Sequence, residues 1–202
     1  MNTKFILASS SSSRAKILKN SGLNFKILRP LCDEENIKKQ IKHLKKKPIK
    51  FAKQLSFEKS KSISILKTHR DKYVIGCDTV IFFQQQIFDK AKNTKQAIDK
   101  IKIFSGNTHQ IISAITICKN GAKIWQTHEI TEVKIKDLSE AQIKKYLRKT
   151  GKQILSSVGC YQIEMFGTQI IEYIKGDFFN VMGLPLFKLI KYVSKLKWKN
   201  FT

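Results

Sequence analysis

Phe5-Ile6-Leu7-Ala8-Ser9-Ser10-Ser11-Ser12-Ser13-Arg14 is the stretch that decides the fold. Four apolar residues run straight into five serines, and Arg14 opens the segment Ala15-Lys16-Ile17-Leu18-Lys19, which closes at Asn20-Ser21-Gly22. The pattern predicts a buried strand, a hydroxyl-rich loop and an amphipathic helix with a serine N-cap and a glycine just past its end. A loop of this kind offers free backbone N–H groups at the positive end of a helix dipole, a ready site for phosphate. Arg14 on the first turn adds a planar cation that forks onto phosphate oxygens. A serine-rich linker is the alternative reading, but a linker does not follow a strand without a break and open a helix.

Beyond this unit, strands and helices alternate, which predicts an α/β class. Extended segments are expected at 24–28, at 73–76 with a continuation at 80–83, at 108–118, at 122–135 and at 168–174. Asn120-Gly121 between the two longest is the strongest hairpin signal in the chain. Helices are expected at 34–46, at 49–66 with Pro48 at the start, at 94–104, from the Leu138-Ser139-Glu140 cap through Leu147, and at 184–196. Residues 159–164 read as an irregular loop flanked by glycine. No repeat and no linker rich in Pro, Gly or Ser divides the chain, so one domain over residues 1–202 is the economical expectation.

Composition narrows the class. With 42% apolar residues the 202-residue chain can build a full core. The longest apolar run, residues 111–118, is strand-sized, so no membrane partner is expected. The serines interrupt the N-terminal apolar run before a signal sequence forms, and the four cysteines are scattered without a CxxC pair, so a cytoplasmic location is expected. The net charge of +24 points toward polyanions, yet only four of the 39 basic residues are arginine. Lysines spread over helix faces make specific nucleic-acid binding an unfavoured reading. The four histidines lack zinc-ligand spacing, and neither a Walker A loop nor a GxGxxG turn is present.

Several polar residues stand where a strand meets a loop. Asp78 follows Tyr73-Val74-Ile75-Gly76-Cys77, so a buried strand delivers a carboxylate where ligands collect in open α/β sheets; a simple turn cap is the alternative. Asp33-Glu34-Glu35 fits a helix N-terminus, where the dipole favours acids. Lys59 and Lys90 look unremarkable alone.

Together these positions resemble the Maf family of nucleoside triphosphate pyrophosphatases over nearly the whole chain. The resemblance is carried by Leu7-Ala8-Ser9-Ser10-Ser11-Ser12-Ser13-Arg14, Asp33-Glu34, Glu58-Lys59-Ser60, Gly76-Cys77-Asp78-Thr79-Val80, Asp89-Lys90-Ala91, Phe104-Ser105-Gly106-Asn107-Thr108-His109, Gly159-Cys160-Tyr161-Gln162-Ile163-Glu164 and Asn180-Val181-Met182-Gly183-Leu184-Pro185, in family order. It implies a single domain with a curved mixed sheet and a central cleft, like that of the inosine triphosphatases. It also implies hydrolysis of a nucleoside triphosphate to the monophosphate and pyrophosphate with a divalent cation, Mg²⁺ or Mn²⁺. On the family's pattern Ser9, Arg14, Lys59 and Lys90 bind phosphates. Asp78 is the general base and, with Glu34, a metal ligand. The family's habit of forming homodimers is an expectation too.

The chain departs from the pattern where the base is chosen. Ser12 and Ser13 stand for Pro and for Arg or Trp, and Ser156-Ser157-Val158 replaces a D-K-A stretch. Glu164 matches the 7-methyl-GTP branch, whereas Thr79 matches the dTTP/UTP branch, so Ser13, Thr79 and Glu164 point to different bases. Clearance of non-standard or modified nucleotides is the expected role; the alternatives are a 7-methyl-GTP-specific enzyme and a non-catalytic cell-division interaction protein.

Overall fold

The computed structural model describes residues 4–198. Strand β1 (Phe5–Ala8) leads through Ser9-Ser10-Ser11 into helix α1 (Ser12–Asn20), as the opening stretch predicts. Ser11 is the N-cap: its side chain accepts from the backbone N–H of Arg14. Next come β2 (Phe25–Leu28), α2 (Glu34–Gln40) and α3 (Pro48–Ser64). They are followed by β3 (Tyr73–Phe83), β4 (Gln86–Phe88) and α4 (Thr94–Phe104). The rest is β5 (Thr108–Lys119), β6 (Ala122–Ile135), α5 (Glu140–Thr150), β7 (Ile171–Lys175), α6 (Phe178–Val181) and α7 (Leu186–Trp198).

The seven strands of the described residues form one open sheet in the order β2-β1-β3-β5-β6-β7, with β4 beside β3. Strands β2, β1 and β3 run parallel, and β3, β5, β6 and β7 are antiparallel in succession, so the sheet is mixed. The hairpin expected at Asn120-Gly121 joins β5 and β6, with positive φ at both residues.

Three expected boundaries move. Residues 73–83 form one strand, so Asp78 lies mid-strand instead of at a strand end, because β5 pairs with β3 from Val74 to Phe82. The helix expected over 34–46 stops at Gln40, and a 3₁₀ turn (Lys42–Leu44) follows, which lets Ile41 turn into the core beside Phe51 and Leu55. Residues 166–169 make a 3₁₀ turn, and the strand expected from 168 begins at Ile171.

Strand alternation sorts the core. Ile75 and Cys77 face α1 and α7, where Ile17, Leu18, Leu189 and Val193 pack. Val74 and Val80 face α3, against Ile63, Phe51 and Leu55. The buried stripe of α3 carries Ser56, Ser60 and Ser64 among its apolar residues, and these small side chains bring the helix close to the sheet. Ser56 Oγ lies 2.7 Å from Thr116 Oγ1, and Ser60 Oγ lies 3.0 Å from Cys118 Sγ. Gly76 completes the approach: a Cβ there would stand 2.2 Å from the carbonyl oxygen of Ser56. At the other end of the sheet α4, α5 and residues 154–171 close a second core around Ile101, Phe104, Val133 and Tyr146.

Candidate active site

The sheet leaves one gap. On its free side β3 pairs with β1 as far as Gly76 and with β4 from Ile81, so Cys77 to Val80 have no strand partner on that edge among the described residues. A cleft of about 560 Å³ opens here, walled by the serine loop, the start of α2, Lys90, residues 156–159 and 161–164, and Gly183. The same alternation that sorts the core sends Asp78 and Thr79 to opposite faces, and each meets a cation.

Asp78 faces α3 and meets Lys59, one turn beyond Leu55 on the buried stripe. Lys59 Nζ lies 2.6 Å from Asp78 Oδ1 and 2.8 Å from Glu34 Oε2, so two carboxylates from different elements converge on one nitrogen. Lys59 lines the cleft, whereas Asp78, 6% exposed, lies behind it. Burial alone lowers the Lys59 pKa, but the charges of Asp78 and Glu34 outweigh it and hold the ammonium above the ordinary lysine range. Burial also opposes ionisation of Glu34; Lys59 and Lys38 overcome it and hold that carboxyl down at about 2. Glu34 is therefore a carboxylate at any working pH.

Thr79 faces the other way and meets Arg14. Arg14 Nε donates to Gly183 O at 2.8 Å, and Nη2 donates to Thr79 Oγ1 at 2.9 Å. Nη1 reaches Ser9 Oγ at 3.5 Å, and the same oxygen accepts from Ser11 N at 3.2 Å. Gly183, with φ of 94°, presents its carbonyl to this cluster. Thr79 is thereby a holder of Arg14, a role the sequence did not signal.

Lys90 projects from the loop after β4 and makes no hydrogen bond or ion pair among the described residues. Burial, then the neighbouring Arg14 and Lys59, push its pKa down. Three cations thus face one space, and an anion there relieves their repulsion. Across the cleft mouth Ser13 Oγ donates to Glu164 Oε1 at 2.7 Å, joining two of the three positions expected from the sequence to select the base. Tyr161, on the same loop as Glu164, is 4% exposed; its hydroxyl lies 2.5 Å from Nε2 of His109, whose ring stacks on Phe104. Burial pushes His109 down to about 4, so this prop is neutral.

A family model described as "Maf-like protein" matches residues 4–196. The chain belongs to the Maf family. A relative named "7-methyl-GTP pyrophosphatase" from Bartonella quintana (strain Toulouse) is 41% identical over 192 residues, 94% of each chain. A "dTTP/UTP pyrophosphatase" from Aquifex aeolicus (strain VF5) is 35% identical over 96% of this chain and 95% of its own. A "Nucleoside triphosphate pyrophosphatase" from Caulobacter vibrioides (strain ATCC 19089 / CIP 103742 / CB 15) is 33% identical over 95% of this chain and 94% of its own.

The eight Maf-like motifs do not all meet. Ser9, Arg14, Glu34, Lys59, Asp78 and Lys90 gather in or directly behind the cleft, and Ser13, Thr79 and Glu164 line it. His109 stands behind the wall in the second core. Lys38 was missed by the sequence: it lies 3.2 Å from both Glu34 Oε1 and Asp89 Oδ1, tying the two sides of the cleft next to Lys90. Its spacing of four residues from Glu34 on a short helix was the available signal.

Proposed function

We propose that this chain hydrolyses nucleoside triphosphates to nucleoside monophosphate and pyrophosphate, in the cytoplasm and as a homodimer. The observation that carries the reaction is the facing of Arg14, Glu34, Lys59 and Lys90 into one cleft, with Asp78 paired to Lys59 directly behind it. A triphosphate carries about four negative charges, and no nucleophile approaches phosphorus until they are offset.

The donor set fits a hard divalent cation. Two carboxylate oxygens already converge within 2.8 Å of a single point, the Lys59 nitrogen. Among the described residues no cluster of three or more His, Cys, Asp or Glu forms a full protein cage. A magnesium-like ion, held by one or two carboxylates and completed by water and phosphate, matches that arrangement. When bound at Glu34 and Asp78, the cation supplies charge neutralisation and orientation of the phosphate oxygens.

This chain's residues do the rest. Ser9, the loop N–H groups and Arg14 hold the polyphosphate from the α1 side, and Lys90 holds it from the opposite wall. Lys59 turns from the carboxylates to the substrate as the site fills, freeing an Asp78 oxygen. Asp78 takes the proton from the attacking water, whose oxygen bonds to the α-phosphorus as the α–β phosphoanhydride bond breaks and pyrophosphate leaves. The test is phosphate release over a nucleotide panel with Mg²⁺ or Mn²⁺, with and without added inorganic pyrophosphatase. Phosphate that depends on that addition supports the reaction; none with any nucleotide hands the chain to the cell-division interaction reading.

Lys90 gives the reaction a pH signature. It must be protonated to hold phosphate, and its pKa lies below the ordinary 10.5. The nucleotide KM is therefore expected to rise on the alkaline side before pH 10.5, as Lys90 discharges. A KM that stays flat to that pH contradicts the assignment.

The base is read by Glu164. An ionised carboxylate only accepts hydrogen bonds, and guanine offers N1–H and N2–H₂ side by side, whereas uracil and thymine offer one donor between acceptors. A 7-methylated guanine adds positive charge, which favours a carboxylate; the Tyr161 ring, expected to stack on it, is buried and bonded to His109 instead. Guanine-type triphosphates, 7-methyl-GTP among them, are thus expected over UTP and dTTP. Glu164→Gln is expected to move the kcat/KM ratio toward the pyrimidines by about tenfold, one lost charge-assisted contact. A wild-type chain that already prefers UTP and dTTP contradicts this reading.

A further inference from the structure

Helix α4 buries a stripe formed by Ala97, Lys100, Ile101 and Phe104, and Lys100 is out of character there. It is 8% exposed, and lysine is almost never buried unless its ammonium finds partners. Its partners are neutral. Nζ donates to Asp89 O and, at 2.9 Å, to Val158 O. The first carbonyl lies next to Lys90, just past the end of β4 at Phe88, where the strand ladder no longer supplies a donor. The second lies at the start of the loop that carries Tyr161 and Glu164. Lys100 is not among the cleft-lining residues; it reaches both walls from behind.

We propose that Lys100 is a positioning residue: by donating to Asp89 O and Val158 O it locks the phosphate-side loop and the base-side loop into one cleft geometry. The inference rests on the pyrophosphatase reading and deepens it. The loop over 89–91 is held from both directions, since Lys38 grips the Asp89 side chain at 3.2 Å while Lys100 grips its carbonyl. Lys90, which makes no hydrogen bond or ion pair among the described residues, inherits its place from these two. The same ammonium fixes the distance between Lys90 and the base-reading loop, so that a nucleotide must span the cleft to meet both.

The test is a double-mutant cycle on kcat/KM with Lys100→Met, which keeps an unbranched side chain one atom shorter and removes the ammonium donors, and Lys90→Ala. If Lys100 acts through Lys90, Lys100→Met lowers kcat/KM by about tenfold in the wild-type background and less than about twofold in Lys90→Ala. Equal losses in both backgrounds overturn the proposal. Hydrogen exchange on the unliganded protein needs no turnover. In Lys100→Gln, segments 89–91 and 157–164 are expected to exchange faster together while residues 9–13 stay unchanged. Faster exchange in only one loop, or in neither, overturns the proposal, as does failure of both Lys100 variants to fold. A wild-type chain that hydrolyses no nucleotide defeats the pyrophosphatase reading instead, and the exchange measurement still decides the coupling of the loops.

Discussion

Asp78→Asn is expected to lower kcat by about 10²- to 10⁴-fold, the range of a lost general base, while the circular dichroism spectrum stays unchanged. The substitution keeps the shape and an acceptor oxygen facing Lys59, which retains its ion pair to Glu34 at 2.8 Å. What disappears is the carboxylate's basicity and one of two anionic oxygens available to a cation. Had Asp78 only capped a turn, asparagine would serve equally well. A loss of kcat below about tenfold contradicts both the base and the cation role.

Gly76→Ala is expected to have the largest effect on stability, about 3 kcal/mol or more. Its Cβ would meet Ser56 O at 2.2 Å and Ser60 N at 2.7 Å. Both are backbone atoms of α3, so no side-chain rotation relieves the clash; the helix itself must move away from β3. Lys59 rides on that helix and Asp78 on that strand, so the ion pair at 2.6 Å opens with it. Urea unfolding and kcat are therefore expected to fall together. A variant of wild-type stability contradicts the close approach of α3 to β3.

The parts of the fold that were legible are those where local chemistry and tertiary packing agree. The β1–serine loop–α1 unit and the Asn120-Gly121 hairpin carry their own caps and turn residues, so their sequences suffice. Asp78 was legible as a carboxylate delivered by a buried strand but not as a mid-strand residue. An aspartate interrupts the apolar run that marks a strand, and only the pairing with β5, which lies far along the chain, keeps β3 extended through it. Helix α6, four residues capped by Asp177, is too short to leave a period. Buried Lys59 and Lys100 looked like any of the chain's many lysines. Their positions on the apolar stripes of α3 and α4 were the signal, visible once the helical phase is known. The bond from Arg14 to Thr79 links residues 65 positions apart and leaves no local trace.

Product analysis on the wild-type chain tests the central claim most directly. GTP, 7-methyl-GTP, UTP and dTTP are each incubated with Mg²⁺ and followed by ³¹P NMR. Nucleoside monophosphate and pyrophosphate are expected in equal amounts, with no diphosphate intermediate, and both products are expected to be lost in Asp78→Asn. Nucleoside diphosphate with inorganic phosphate, or products that persist in Asp78→Asn, would contradict the central claim.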